Sequence, residues 1–156
     1  MLVNDNLDTN KWAQLSIQDM GDLVAIQIYD TYGKVSVIGI YNDCHHATTL
    51  ELLNNYTKDN QGMLHTRDSD HILWCGDFNH HHPLWDKECN SHLFMARAIR
   101  EAEVLLAMVA DHNMFMALPK DITPLESMST KNWTRPNNVF CSANTEGMVV
   151  SCMTDP

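Results

Sequence analysis

The segment Gly76-Asp-Phe-Asn-His-His-His-Pro-Leu-Trp-Asp86 puts a carboxylate, an amide and three imidazoles directly after the short apolar run His71-Ile-Leu-Trp-Cys75. Gly76 allows the backbone to turn or to approach a ligand closely. Asp77 and Asn79 stand two apart, which on an extended chain points both side chains the same way. A carboxylate can orient or deprotonate an attacking water beside a divalent cation, and an amide can donate to a non-bridging phosphate oxygen without adding negative charge. The pair therefore suits hydrolysis at a phosphate ester. The imidazoles of His80, His81 and His82, with Cys89 and His92 nearby, are also zinc-binding types. Consecutive residues diverge in direction, however, so local hydrogen bonding and packing around Trp85 is the stronger expectation for them. His45 and His46 are expected to be solvated loop residues.

Those side chains need a scaffold. His71 to Cys75 reads as a buried strand that delivers polar groups at its C-terminal end. Leu23 to Tyr29 and Val35 to Tyr41 are rich in β-branched residues and flank the turn chemistry of Asp30-Thr-Tyr-Gly33, which predicts a hairpin. A helix is predicted from a cap at Thr48 or Thr49 to about Lys58, with Leu50, Leu53 and Tyr56 on one stripe and Asn60-Gln-Gly62 as its stop. Ser91 to about His112 is the strongest helical pattern, with Phe94, Ala98, Leu105, Met108 and Val109 on its apolar face. Strands are expected at Met114 to Leu118 and at Asn138 to Cys141, and Met148 to Cys152 is a last apolar stretch. Residues 1–20 read as an irregular lead-in with at most one turn around Trp12 to Ile17. Met95, Met108, Met114 and Met116 read as core filling.

The chain has 156 residues, 44% of them hydrophobic, which suits one globular domain with a buried core. No apolar run reaches about 18 residues and the N-terminus lacks the order of a secretory signal, so the expectation is a soluble intracellular protein without a membrane partner. The five cysteines are scattered, with no Cys-x-x-Cys pair, and are expected to be reduced. Twenty acidic side chains against ten Lys and Arg give a formal charge of −10, which disfavours tight nucleic-acid binding through a basic surface. If the chain handles phosphodiesters, a bound metal must supply much of the positive charge.

Trp74-Cys-Gly-Asp-Phe-Asn79 resembles the GDFN motif of the endonuclease/exonuclease/phosphatase superfamily, and His81-His-Pro-Leu-Trp85 resembles its non-LTR (LINE-type) retrotransposon branch. Ile40-Tyr-Asn42 is similar to the end of the family strand that brings a tyrosine to the scissile region, and Asn132-Trp-Thr-Arg-Pro-Asn-Asn-Val-Phe-Cys-Ser142 to its threonine-to-aspartate strand. The resemblance covers roughly Leu23 to Pro156. It implies an α/β fold, a four-layer α/β/β/α sandwich of the DNase I-like type. Nothing before Leu23 resembles the family's early asparagine and glutamate strands, and no counterpart of its final Ser-Asp-His motif follows Thr154. Ser69-Asp-His71 spells that motif but precedes GDFN and is read as the entry to a strand. The expectation is thus a single partial domain over residues 1–156, incomplete at both ends and less stable than a whole sandwich, since each Å² of lost apolar burial costs roughly 25 cal/mol.

The resemblance further implies Mg²⁺- or Mn²⁺-dependent hydrolysis of DNA phosphodiesters, with metal ligands not identified. In it Asp77 activates the nucleophile, Asn79 binds phosphate and Tyr41 supports the transition state. His81, His82 and Asn137 fall at substrate-binding positions, with Asn137 standing where the family has an acidic residue. The implied partners are DNA and the reverse transcriptase domain of the same element, and the implied location is the nucleus. The alternative expectation is a catalytically inactive remnant that serves as a structural or binding module.

Overall fold

The computed structural model describes residues 6–17, 21–43, 46, 48–120, 125–126, 133–145 and 148. Its centre is a mixed six-stranded sheet. The strands are β1 (Trp12–Leu15), β2 (Leu23–Tyr29), β3 (Lys34–Tyr41), β4 (His71–Asp77), β5 (Met114–Met116) and β8 (Asn137–Ser142), arranged β1-β2-β3-β4-β8-β5. A separate two-stranded ribbon joins β6 (Leu125–Glu126) to β7 (Trp133–Thr134). The helices are α1 (Thr48–Asp59), α2 (Gln61–Leu64) and α3 (Ala96–Asp111), with 3-10 turns at Thr9–Lys11, Glu88–Leu93 and Ala143–Thr145.

The β2–β3 hairpin forms as its sequence predicts. Asp30 Oδ1 accepts from the N–H groups of Tyr32 and Gly33, at 2.7 and 3.2 Å, and Asp30 N–H bonds the Gly33 carbonyl, so the turn chemistry closes the ladder. From β3 the chain crosses over through α1 to β4, which runs parallel to β3, as a crossover carrying a helix permits. Strand β8 then pairs antiparallel with β4, in register from Leu73↔Cys141 to Asp77↔Asn137.

One face of this sheet carries the core. Leu23, Ala25, Ile38, Ile40, Ile72, Trp74, Met114 and Phe140 are buried there and share one cluster with Leu50 and Leu53 of α1 and Ala102, Leu105 and Met108 of α3. The helical residues recur at spacings of three, so each helix lays one stripe on the sheet. On the opposite face Val35, Val37, Leu73, Cys75 and Val139 remain partly exposed.

Several boundaries differ from the sequence reading. Residues 12–15 form a strand rather than irregular lead-in or a turn, because Trp12–Leu15 pairs with Ala25–Ile28, a partner that no local pattern announces. α1 ends at Asp59 as expected, but Asn60 is the whole interruption: α2 follows at once, with Met63 and Leu64 N–H groups bonded to the Asn60 carbonyl. Thr48 and Thr49 lie within α1 rather than capping it. The long helix begins at Ala96 and not at Ser91, since Ser91–Leu93 belong to a 3-10 turn and Met95 is extended. Strand β5 ends two residues earlier than expected. Met95, 70% exposed, is not core, whereas Met108 and Met114 are buried. Of the stretch Met148 to Cys152, all but Met148 lies outside the described residues.

Candidate active site

The C-terminal ends of β3 and β4 and the start of β8 lie level. Tyr41 pairs with Asp77, and Asp77 with Asn137, so the three occupy one row across adjacent strands and share the face opposite the helices. The row is held on both sides. Asn42 N–H bonds the Asp77 carbonyl at 2.8 Å, and Phe78 N–H bonds the Pro136 carbonyl at 3.0 Å. Tyr41 is 54% exposed, which leaves its hydroxyl available at the mouth.

Gly76 makes this approach of strands possible. Its φ is +143°, and a Cβ there would stand 2.0 Å from the Ile40 carbonyl oxygen. Any side chain would drive β4 away from β3 immediately behind Asp77. Past Asp77 the strand ends, so Asp77 and Asn79 are not related by strand alternation as the sequence spacing suggests. Asn79 instead adopts a left-handed conformation, φ +52°, which asparagine tolerates better than most residues. Its N–H donates to Asp77 Oδ1 at 3.0 Å, and its Nδ2 donates to the Asn42 carbonyl at 2.7 Å. Asp77, Asn79 and the end of β3 are thus tied together.

The histidine loop is wired residue by residue. His80 is buried, its Nε2 lies 3.4 Å from Asn42 Nδ2, and burial lowers its pKa below the usual histidine value. Trp85 Nε1 donates to the His80 carbonyl at 3.0 Å. His81 Nδ1 meets Asp86 Oδ2 at 3.2 Å, and His82 N–H donates to the same oxygen. His82 Nδ1 accepts from Leu84 N–H at 3.2 Å, its ring tilts against Trp85 with centroids 5.2 Å apart, and burial lowers its pKa also. The carboxylate of Asp86 is buried and accepts in addition from Arg135 N–H. The guanidinium of Arg135 donates to the carbonyls of Leu118 and Pro119, pinning the approach to β8 onto the segment after β5.

The rim therefore unites Tyr41, Asp77, Asn79 and Asn137, with His81 and His82 on the loop that leaves it. Sequence reasoning missed the residues that hold this rim: Asn42, Asp86 and Arg135. Asn42 follows the strand-end tyrosine, a signal that was present. Asp86 and Arg135 carry none, because their partners lie far along the chain. Behind Gly76, Asn42 Oδ1 and both polar side-chain atoms of Asn138 are buried without a hydrogen-bond partner among the described residues.

A divalent metal fits this arrangement only in part. Magnesium is held by one or two carboxylates, by waters and by substrate phosphates. Of the three residues in the row, only Asp77 is a carboxylate, and among the described residues no group of three His, Cys, Asp or Glu could hold an ion. The zinc alternative for the histidine loop has no such group either, and the three imidazoles are engaged with separate partners.

The fold and this rim define an α/β domain of the DNase I-like type. It superposes on the endonuclease domain of TRAS1, a telomere-specific non-LTR retrotransposon, with a TM-score of 0.64 at 12% identity, covering 91% of this chain and 58% of that one. It also superposes on an AP endonuclease from Archaeoglobus fulgidus, with a TM-score of 0.50 at 15% identity, covering 77% and 52% respectively. The chain thus spans little more than half the length of either structure. No curated protein matches its sequence. The family model for endonuclease-reverse transcriptase matches residues 35–139, more than half of the chain, and the chain belongs to that family. Every rim residue named above lies inside the matched segment.

Proposed function

We propose that this domain hydrolyses DNA phosphodiester bonds in a metal-dependent manner, as the endonuclease of a retrotransposon that works beside a reverse transcriptase domain, in the nucleus. The observation that carries the reading is the level row Tyr41–Asp77–Asn137, fixed by Gly76 and linked to Asn79 through Asp77 and Asn42. In it Asp77 orients and deprotonates the attacking water. The amides of Asn79 and Asn137 donate to non-bridging phosphate oxygens, and the Tyr41 hydroxyl contacts the phosphate from the open side. His81 and His82 line the substrate path. Mg²⁺ or Mn²⁺, when bound, supplies charge neutralisation at the phosphate. Among the described residues no group of three His, Cys, Asp or Glu is placed to hold it.

A second reading, an inactive structural or binding module, is favoured by one observation: Asn137 contributes an amide where the resemblance expects a carboxylate, leaving Asp77 as the only acid in the row. Nicking of supercoiled plasmid by the purified chain with Mg²⁺ separates the two. The enzyme reading expects nicking that EDTA abolishes and that Asp77→Asn reduces by about 10²–10⁴-fold, the usual contribution of a positioned general base. Nicking that survives Asp77→Asn undiminished overturns the assigned role, and a folded chain that never nicks supports the inactive module.

A further inference from the structure

Three consecutive imidazoles leave the rim, and their surroundings differ in the one respect that governs charge. His80 is buried with its Nε2 facing Asn42 Nδ2. Accepting from that amide requires an unprotonated Nε2, hence a neutral ring. His82 uses Nδ1 to accept from Leu84 N–H, which again requires an unprotonated nitrogen. His81 is wired the opposite way. Its Nδ1 faces the carboxylate of Asp86, which is fully buried, so Nδ1 is the donor and Nε2 is left at a ring that is 27% exposed. A buried carboxylate behind an imidazole fixes the tautomer, so that a second proton on this ring goes to Nε2.

Resting on the reading of this rim as a phosphodiester site, we propose that His81 is the cationic phosphate-contacting group of the site, donating from Nε2 to a phosphate oxygen of nucleic acid, with Asp86 as its positioning residue. A chain of net charge −10 needs such a local donor where phosphate must approach. The nearby cation Arg135 has its guanidinium turned to the carbonyls of Leu118 and Pro119. The charged and titratable groups of this region are Asp86, which faces the ring itself, His80 and His82 on the same loop, Glu101 and Glu103 of α3, which act on His80 and His82 respectively, and Arg135, whose N–H holds Asp86. Asp86 also holds His82 N–H and Arg135 N–H. Its removal therefore loosens the loop as well as the ring, and the exposed partner gives the cleaner variant.

The test is binding of a short DNA duplex in EDTA, where no turnover occurs, read by fluorescence anisotropy across pH 5.5 to 8 and by ¹⁵N shifts of the histidine side chains. The wild-type chain is expected to show the neutral ring of His81, at the alkaline end, as the Nδ1–H tautomer, to shift its Nε2 resonance on adding DNA at the acid end, where Nε2 carries the donated proton, and to lose about tenfold in affinity as the ring deprotonates, the scale of one charge-assisted hydrogen bond. His81→Gln is expected to remove that pH dependence. Asp86→Asn, where it folds, is expected to leave the ring in mixed tautomers with the pH dependence reduced. An Nε2–H tautomer in the free wild type, an Nε2 signal indifferent to DNA, or an unchanged pH dependence in His81→Gln would each overturn the proposal. Absence of nicking together with a pH-dependent His81 contact would sink the enzyme reading and leave this inference standing. Nicking with no His81 contact would do the reverse.

Discussion

Gly76 sits where the side chains of the rim depend on what is not there. Its φ of +143° lies in a region that L residues rarely occupy, and the Ile40 carbonyl fills the place a Cβ would take. Gly76→Ala therefore combines backbone strain with a clash between two central strands, and a loss of about 3 kcal/mol or more is expected, seen as a lower urea midpoint. A variant as stable as the parent would show that β3 and β4 do not meet as closely as described. Glycine before Asp77 was legible as a place for a turn or a close approach, and Asp77 and Asn79 were legible as neighbouring polar groups at the end of a strand. Their relation was not. Strand alternation predicted a common direction, whereas the strand ends at Asp77 and the left-handed Asn79 returns its N–H to the Asp77 carboxylate. Asp86 and Arg135 escaped the sequence reading altogether, since a carboxylate that meets a backbone N–H 49 residues away leaves no local pattern.

Among elements, the β3–β4 pair decides the site, because its register sets Tyr41 level with Asp77. The opposite end of that pair is anchored by Asp70, at the entry to β4. Its buried carboxylate accepts from the N–H groups of Lys34, Thr66 and Arg67 and from the Thr66 hydroxyl, with Lys34 Nζ at 3.6 Å. Desolvation alone would raise its pKa, but these hydrogen bonds outweigh it and hold the carboxyl well below the ordinary carboxylate range. Asp70→Ala leaves several buried donors without a partner, and a destabilisation of about 3 kcal/mol is expected on the scale of such losses. Asp70→Asn, which keeps acceptors, should cost less; equal losses from the two would show that the charge, and not the acceptor geometry, matters. Ser69-Asp-His71 was read as the entry to a strand, and Asp70 performs that task. The hairpin, the crossover helix and the strand before Asp77 were likewise legible, each having a period or a turn signal of its own. Strand β1 was not, for Trp12-Ala-Gln-Leu15 takes its conformation from pairing with β2, and the 3-10 turn before α3 interrupts a pattern that looks helical throughout.

At the scale of the molecule, an excess of acid meets several histidines held neutral, and the two make opposite predictions for stability in mild acid. With a net charge of −10 at pH 7, protonation relieves self-repulsion and should stabilise the fold as pH falls. Burial, however, lowers the pKa of His80, His82 and His112 below the ordinary histidine value of 6.5. His112 is fixed by its Nε2 to Asn54 Oδ1 at 2.9 Å, with its ring edge against Trp74. For a histidine depressed in the folded state, the unfolded chain takes up its proton first as pH drops. The stabilising contribution is therefore fully present above about 6.5 and is lost as pH falls through the window below it. Asp70 does not confuse that window, because its contribution is complete above the ordinary carboxylate value of 3.8 and declines only beneath it. The local groups are expected to win, since exposed charges are screened at physiological salt whereas a buried ring must be desolvated whatever the salt. Urea midpoints measured at pH 7.5 and 5.5 should fall on acidification, and His80→Gln should flatten the fall even if it lowers both midpoints. Stability that instead rises toward pH 5.5, and does so less in about 0.5 M salt than in 0.05 M, would assign control to the acidic surface.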